Sequence, residues 1–335
     1  MPQLPAEIII DIIHCLIPSS TPVAFGPSDP ITRTLYNLTK TSRLTSFVAQ
    51  QLLLKHCLYI NTSERFWKVI SPEHQALPNP AARTASQPPP STGLFLSPIP
   101  YRNTLEDHLE ITKSIDTLLY SLRWILTRLI IDLPLRSLYP EDDKYQVRPR
   151  LRAAFSSLTA LEEFCSVQDE LYISTMPWPF SDMAPFVEPE VWSTWPRLRR
   201  LALYNVDVAG IKFLPNLEKC KNLTHLVLAR ADGLYEQLPE KSMHWYRNLP
   251  KLKRVALVDT KTAKDWEMRP DAGEGTFAKT MALASGHDVK SGHSGPLCTW
   301  YSVEVPPTAQ DDIRACQDYL CRAAMNGSLW ESGRS

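Results

Sequence analysis

Two glycine-containing segments near the end of the chain carry residue types that can bind a nucleotide or a metal ion. The first, Gly273-Glu274-Gly275-Thr276-Phe277-Ala278, matches the Gly-x-Gly-x-x-Ala pattern of dinucleotide-binding turns. That pattern functions only between a buried strand and a helix, whereas the preceding residues, Glu267–Asp271, are polar and include a proline. We therefore interpret the segment as a loop and predict no cofactor.

The second segment repeats one tripeptide, as Ser285-Gly286-His287 and Ser291-Gly292-His293, with Asp288 between the two histidines. Two imidazoles and a carboxylate could ligate a metal ion or act as a base. No helical or strand spacing aims both imidazoles at one point, which a metal site requires. We predict a surface loop, no metal site and no catalytic residue. An enzyme that uses the 285–298 loop is the weakest hypothesis.

The composition of the chain limits which partners and which cellular compartment we expect for it. The chain has 335 residues, with 36 Lys and Arg against 36 Asp and Glu, so the formal net charge is zero. A balanced charge gives no broad attraction to nucleic acid or to an anionic membrane, and we predict neither as a partner. The seven cysteines form no Cys-x-x-Cys pair, which predicts reduced thiols and a cytoplasmic or nuclear protein.

The first elements that could position a binding surface are N-terminal helices. From Leu4 to Leu16, apolar residues recur at positions 4, 8, 9, 12, 13 and 16, which form one stripe on a helix. Pro5 suits the first helical turn, and Glu7 favours the positive end of the helix dipole. Such a stripe must be buried, either against the rest of this chain or against another protein.

The spacing Leu-Pro-x-Glu-Ile-Ile-x-x-Ile-x-x-x-Leu, from Leu4 to Leu16, resembles the opening of an F-box. This family's short helical domain docks onto the Skp adaptor of cullin-type ubiquitin ligases. The segment Leu35–Arg43 resembles the family's second half, where a leucine-bearing helix runs into a Val-(Ser/Cys)-Arg-type sequence. The resemblance covers about residues 4–60, and a proline- and serine-rich insertion, Pro18–Pro30, separates its halves.

The resemblance implies which side chains contact the adaptor. Ile8 and Ile12, on the neighbouring part of the stripe, can instead pack inside the helical unit. On this hypothesis Ile13→Asp abolishes adaptor binding and leaves the leucine-rich-repeat-like domain folded. The expected adaptor-binding residues are Leu4, Pro5, Ile9, Ile13, Leu16, Leu38 and Ser42.

A proline-rich segment follows the helical part. We assign residues 1–62 to the F-box-like segment and residues 63–100 to a short helix and a linker. Eight prolines lie between Pro72 and Pro100, with Ser, Thr, Ala and Gln among them. Such a segment buries too little apolar surface to offset its ordering entropy, so residues 75–97 are predicted to be disordered.

Beyond the linker, a leucine pattern recurs. Leu198-x-x-Leu201-x-Leu203, Leu223-x-x-Leu226-x-Leu228 and Leu252-x-x-Val255-x-Leu257 share one template, and related copies begin at Leu126 and Leu158. The template resembles the strand unit of a leucine-rich repeat, which predicts stacked strands with a shared core and an exposed concave sheet. Residues 101–308 are assigned to this domain, and residues 309–330 to a helix that caps the end of the stack.

The sequence thus predicts an α/β protein, with a short N-terminal helical F-box-like segment followed by an irregular leucine-rich-repeat-like domain. The combination resembles a substrate receptor of a Skp–cullin–F-box ubiquitin ligase, which binds the Skp adaptor and an unknown protein substrate and performs no catalysis itself. The alternative is a repeat scaffold without a ubiquitin role, in which the N-terminal helices pack on the repeat core. In that case, deleting residues 1–62 would unfold the rest.

Overall fold

The described part of the chain forms one parallel sheet with helices packed on both of its faces. The computed structural model describes residues 5–18, 22–71, 91–176, 188–242, 244–260, 273, 275–285, 297–307 and 311–331. Within these residues the predicted α/β class is confirmed.

Three N-terminal helices have a small core of their own. They are α1 (Ala6–His14), α2 (Pro30–Leu38) and α3 (Arg43–His56). The pair Asp29-Pro30 in the sequence predicts a helix start, and α2 begins there. Asp29 accepts a hydrogen bond from the Ile31 N–H at 2.8 Å. Side chains from all three helices form this helical core, namely Ile13, Leu35, Val48, Ala49 and Leu52.

The sheet has eight strands that lie side by side in chain order, each parallel to its neighbours. Neighbouring parallel strands require a crossover, and each connection supplies one. The strands are β1 (Leu58–Ile60), β2 (Thr92–Leu96), β3 (Leu126–Ile131), β4 (Glu163–Ser166), β5 (Arg200–Tyr204), β6 (His225–Ala229), β7 (Arg254–Asp259) and β8 (Leu297–Ser302).

The first face of the sheet carries the recurrent leucines. Phe164, Leu201, Leu226 and Val255 occupy neighbouring register positions on β4 to β7, and they share one large core with the crossover helices. Alternate strand residues point to one face, so the Leu-x-Leu spacing places both leucines of each copy in this core. The crossover helices are α4 (Ser63–Ile70), α5 (Leu109–Leu122), α6 (Val147–Ser156), α7 (Phe213–Leu217) and α8 (Phe277–Ser285).

The second face of the sheet is also covered, which corrects the prediction of an exposed concave sheet. A row of mostly small side chains crosses this face on β3 to β7. The helix α9 (Asp312–Asn326) packs on the row with Cys316 and Leu320, which are fully buried. The row consists of Ile130, Cys165, Ala202, Val227 and Ala256.

The C-terminal helix was expected at the end of the stack, and this placement is wrong. Helix α9 begins after Asp311 and ends at Gly327, both as the sequence indicated. Gly327 has a positive φ of 83°, the left-handed conformation that glycine adopts readily at helix ends. The helix lies on the second face because the small side chains of Cys165, Ala202 and Ala256 let it approach the strands.

The segment between α1 and α2 joins the helical unit to the sheet. The Val23 N–H donates to the Met325 carbonyl of α9 at 2.8 Å, and the Phe25 N–H donates to the His56 carbonyl at 2.7 Å. A Cβ on Gly93 of β2 would lie 1.9 Å from the Val23 carbonyl oxygen, so only glycine fits there. Val23, which belongs to the Pro18–Pro30 insertion, therefore helps to cover the second face of the sheet.

Two assigned boundaries also differ from the structure. The strand β1 falls inside the segment 1–62, although it is part of the sheet. The strand β2 falls inside the stretch 75–97 that was predicted to be disordered, yet all its residues are buried. A buried strand at 92–96 is consistent with its apolar sequence, Thr-Gly-Leu-Phe-Leu, which the proline content of the surrounding segment obscured.

The sequence also predicts a long helix at 105–124, a strand at 298–305, and helices between the repeated strands at Ala209–Lys219, Pro239–Asn248 and Lys261–Arg269. Among the described residues, the helices between the repeated strands are shorter than predicted. Of Ala209–Lys219, only α7 is α-helical, and Pro239–Asn248 contains two short 3₁₀ turns. The helix expected at Lys261–Arg269 lies outside the described residues, as do His287 and His293. The strand expected at 298–305 is β8, and the long helix expected at 105–124 is α5 with a 3₁₀ turn before it.

Candidate functional site

The predicted adaptor-binding residues divide between the surface and the interior. Ile13 is only 3% exposed and belongs to the helical core, so no partner can reach it in this fold. Ile9, Leu16 and Leu38 are half-buried and pack against that same core. Pro5 is exposed, and Leu4 lies outside the described residues.

Ser42, the last predicted contact, has a local structural role. It is exposed and precedes α3, where its hydroxyl accepts a hydrogen bond from the Thr45 N–H at 3.2 Å. The Thr45 hydroxyl accepts in turn from the Ser42 N–H at 3.1 Å, which completes a capping box. The pair fixes the start of α3.

The surface of α1 carries an apolar stripe that includes Ile8 and Ile12. Ile8 is 45% exposed and Ile12 is 54% exposed. With the exposed Pro5 and Cys15 they recur every three to four residues, so the four residues line one side of the helix. We call Pro5, Ile8, Ile12 and Cys15 the α1 stripe. Ile8 and Ile12, for which packing inside the unit was an alternative, thus lie on the surface, whereas Ile13, an expected adaptor contact, lies inside.

The other two N-terminal helices also present large apolar side chains to solvent. Tyr36 on α2 and Phe47 on α3 are both more than half exposed. The Lys40 ammonium lies 4.1 Å from the centre of the Tyr36 ring, and Phe47 borders a shallow groove at the turn between α2 and α3. Each of the three helices thus adds exposed apolar surface to one small unit.

Along the row from Ile130 to Ala256, the second face of the sheet is covered by the chain itself. Beyond the apolar contacts of α9, Asp312 accepts a hydrogen bond from the Arg230 guanidinium at 2.6 Å at the start of the helix. At its far end, Trp330 is buried and the Arg254 guanidinium donates to the Glu331 carbonyl. The concave-face contacts that the repeat pattern implied are therefore occupied by the chain itself.

The described residues do contain an open cavity, of about 270 Å³, where β4 and β5 lead into their following loops. Its apolar wall includes Ile173, Val206 and the buried Trp192, whose ring packs edge-to-face on Phe213 at 6.0 Å. Ile211 also borders it and is 56% exposed. We call this space the loop-edge cavity.

Two ion pairs are built into the polar wall of the loop-edge cavity. Arg136 donates to both carboxylate oxygens of Glu170, at 2.6 and 3.0 Å. Arg152 pairs with Glu188 at 3.0 Å. Burial alone would raise the pKa of Glu188, but hydrogen bonds from Thr175 and the Arg152 charge hold the pKa below its usual range. The acids and bases of these two pairs satisfy one another.

Two carboxylates on this wall, Asp207 and Glu190, lie outside the ion pairs. Asp207 accepts a hydrogen bond from the Ala209 N–H at 3.0 Å. Glu190 differs from it. Within the described part of the chain, no donor hydrogen-bonds its carboxylate oxygens. Burial raises the pKa of Glu190 to about 7, and the nearby Glu170 charge adds to the shift, while Lys212 and Arg152 oppose it. Burial also raises the pKa of Glu170 against the effect of Arg136. The cavity therefore holds an acidic group that would gain from a cationic neighbour.

Sequence reasoning missed this cavity because no motif marks it. The nearest sequence signal is the pair Trp192 and Trp195, which the sequence alone allows either as exposed binding hot spots or as core. Both tryptophans are buried, and the Trp195 ring N–H donates to the Phe155 carbonyl at 2.8 Å. The core interpretation holds for both, although Trp192 also lines the cavity. Glu190 lies two residues before Trp192, in a segment without periodicity.

Other chemistry considered from the sequence finds no support among the residues that the structure places. They include no group of three or more His, Cys, Asp or Glu side chains that could hold a metal ion. All seven cysteines are free thiols. Among the helices of these residues, none is long and apolar enough to cross a membrane.

Comparison with known proteins gives no family. No protein-family model matches the chain, and no curated protein matches its sequence.

Proposed function

We propose that this chain is the substrate-receptor subunit of a Skp–cullin–F-box ubiquitin ligase. In this proposal the N-terminal helices bind the Skp adaptor, and the leucine-rich-repeat-like sheet domain binds a protein substrate. The chain contributes positioning, which raises the effective concentration of the substrate near the catalytic subunits. The observation that carries the proposal is the α1 stripe, an apolar surface on a helical unit whose sequence resembles an F-box.

The packing of the helical unit supports the adaptor part of the proposal. Ile13, Leu35 and Leu52 stabilise the unit from within, in a core distinct from both cores of the sheet. Ile8 and Ile12 are thus free to contact another protein. Scattered exposed apolar residues are ordinary, whereas a contiguous apolar stripe is typical of an interaction site.

The leucine pattern supports the repeat-like part of the proposal. Leu201, Leu226 and Val255 come from three copies of the template and lie at the same register of adjacent parallel strands. The copies bury these side chains together in one core that they share with the crossover helices, as stacked repeats do. Since α9 covers the second face, we expect substrate contacts at the loop edges of the strands.

The adaptor contact can be tested by co-purification of the full chain with a purified Skp adaptor. We expect the wild-type chain to form a stable complex and the double variant Ile8→Asp/Ile12→Asp to lose it, because charges on the stripe must be desolvated on docking. Leu283→Asp is the matched control, because Leu283 is 64% exposed on α8, outside the helical unit. All three proteins should show the same thermal unfolding midpoint.

Ile13→Asp is a reference for unfolding of the helical unit, since it buries an unpaired charge in the helical core. A double variant that stays folded and still binds the adaptor at wild-type strength would remove the α1 stripe as the docking surface. A wild-type chain that is folded and binds no adaptor would overturn the ligase proposal.

A repeat scaffold without a ubiquitin role is the second candidate, and the segment Val23–Phe25 favours it. This segment ties the helical unit to α9 and to β2, as expected if the helices serve the sheet domain. Deleting residues 1–62 no longer separates the two candidates, because the deletion also removes β1 and Val23. The co-purification distinguishes them without disturbing either.

A further inference from the structure

We propose that the loop-edge cavity receives a lysine or arginine side chain of a protein partner. The binding of such a side chain is independent of the ligase. That this partner is the ligase substrate rests on the proposed function. In that case the chain recognises the substrate by an exposed basic segment.

Glu190 is the acid of the loop-edge cavity whose carboxylate has no hydrogen-bonding partner among the described residues. Glu170 is held by Arg136, and Glu188 is held by Arg152 together with Thr175, so neither offers a free face for a strong new bond. Glu190 lies on the same wall without a hydrogen-bond donor from the described residues. A carboxylate half-removed from water and left without a donor is stabilised by an incoming ammonium or guanidinium group.

An apolar wall lines the same cavity as Glu190. Ile173, Val206 and Trp192 line the cavity, and Ile211 presents more than half of its surface beside it. Lysine and arginine carry three- or four-carbon stems that pack along apolar surface while the charged end reaches a polar partner. A wall with this composition complements the stem, and Glu190 complements the end.

The volume of the cavity and the charges on its wall limit which ligands fit it. Sites for drug-sized ligands enclose about 300–1,000 Å³, whereas the loop-edge cavity encloses about 270 Å³. It therefore suits one side chain better than a whole cofactor. An anionic ligand is disfavoured because the carboxylates of the lining outnumber its cations. The lining carboxylates are Glu170, Glu188, Glu190 and Asp207, and the lining cations are Arg136, Arg152 and Lys212.

The test uses N-acetyl-arginine amide and N-acetyl-lysine amide as probes of the full-length chain. N-acetyl-citrulline amide is the control ligand, because it keeps the shape of arginine and lacks its charge. We expect saturation-transfer NMR to detect the two cationic probes, with dissociation constants in the millimolar range, and not to detect citrulline. Glu190→Gln should weaken both cationic probes about tenfold or more.

Glu110→Gln is the matched control variant, because the exposed Glu110 lies on α5 and does not line the cavity. Thermal unfolding of both variants at pH 8 checks that the chain stays folded. Equal binding of arginine and citrulline amides would overturn the proposal. So would wild-type affinity in a folded Glu190→Gln chain, or the absence of binding by both cationic probes at tens of millimolar.

The pH dependence gives a second readout that a purely structural role for Glu190 would not produce. Because its pKa lies at about 7, Glu190 is mostly ionised at pH 8 and mostly protonated at pH 6. The affinity for N-acetyl-arginine amide should fall about tenfold between these values, and Glu190→Gln should lose most of this dependence. The charged groups that share the cavity are Glu170, Glu188, Asp207, Arg136, Arg152 and Lys212.

Two variants distinguish a failure of the cavity proposal from a failure of the ligase proposal. Glu190→Gln should co-purify with the Skp adaptor as the wild-type chain does, since the α1 stripe is unchanged. Conversely, Ile8→Asp/Ile12→Asp should bind N-acetyl-arginine amide with unchanged affinity.

Discussion

On the first face of the sheet, leucines of the recurrent template pack against helices that directly follow or precede their own strands. On the second face, small side chains such as Ala202 and Ala256 pack against α9 and against Val23, which lie near opposite ends of the described chain. The first face is built from local units, and the second is closed by distant segments. A periodic sequence pattern can specify the packing of the first face. The packing of the second face depends on the surface that the strands form once they have stacked.

The largest expected difference between the faces comes from two neighbouring residues of β6. Leu226 is buried in the first face and Val227 in the second. Leu226→Ala should lower the free energy of unfolding by roughly 2–5 kcal/mol, because a rigid core leaves a cavity. Val227→Ala removes fewer carbon atoms and should cost about 2 kcal/mol. Urea denaturation of the full chain measures both, and a costlier Val227→Ala would reverse the comparison.

The next largest effect tests how closely the second face is covered. Gly93→Ala places a Cβ 1.9 Å from the Val23 carbonyl oxygen, so the Val23 segment must move away from β2. We expect a loss of roughly 1–3 kcal/mol, the usual range for overpacking. Gly26→Ala is the matched control, because a Cβ at Gly26 meets no atom within 4 Å. If both variants were equally stable in urea denaturation, the close approach of Val23 to β2 would be refuted.

The smallest effect concerns the polar contact at the start of α9. The hydrogen bond from Arg230 holds the pKa of Asp312 below its usual value. A carboxylate whose pKa is lowered by folding stabilises the protein near neutral pH, and this contribution is lost as the pH falls through the lowered pKa. Because the Asp312 side chain is about half exposed, Asp312→Asn should cost at most about 1 kcal/mol at pH 7.

Urea denaturation at pH 7 and at pH 3 measures this dependence. Glu64→Gln provides a control, because Glu64 pairs with Lys68 on α4, away from the second face. An Asp312→Asn loss that is as large at pH 3 as at pH 7 would show that the ion pair is not its cause.

The parts of the fold that the sequence predicted are those with a local physical cause. The Asp29-Pro30 start of α2, the Gly327 end of α9 and the leucine positions of β5 to β7 each follow from capping or from alternation along a strand. The strand β2 was missed because the prolines before it dominate the composition of that segment, while five buried residues give too short a periodic signal.

The candidate sites were less predictable, for reasons that particular residues illustrate. The stripe from Leu4 to Leu16 is apolar over more than half of the helix surface, so its pattern does not decide which side faces inward. Packing against α3 decides it, and places Ile13 inside with Ile8 and Ile12 outside. The environment of Glu190 depends on Arg136, Glu170 and Arg152, whose proximity arises only when neighbouring repeats stack.

The hydrogen bond between Val23 and Met325 has a consequence for biosynthesis. It joins segments separated by almost the whole described chain, so it belongs to the class of contacts that form late in folding. During translation the N-terminal helices and the early strands emerge well before α9. Until α9 is released from the ribosome, the row from Ile130 to Ala256 remains uncovered, and the nascent chain presents an apolar sheet face to the cell.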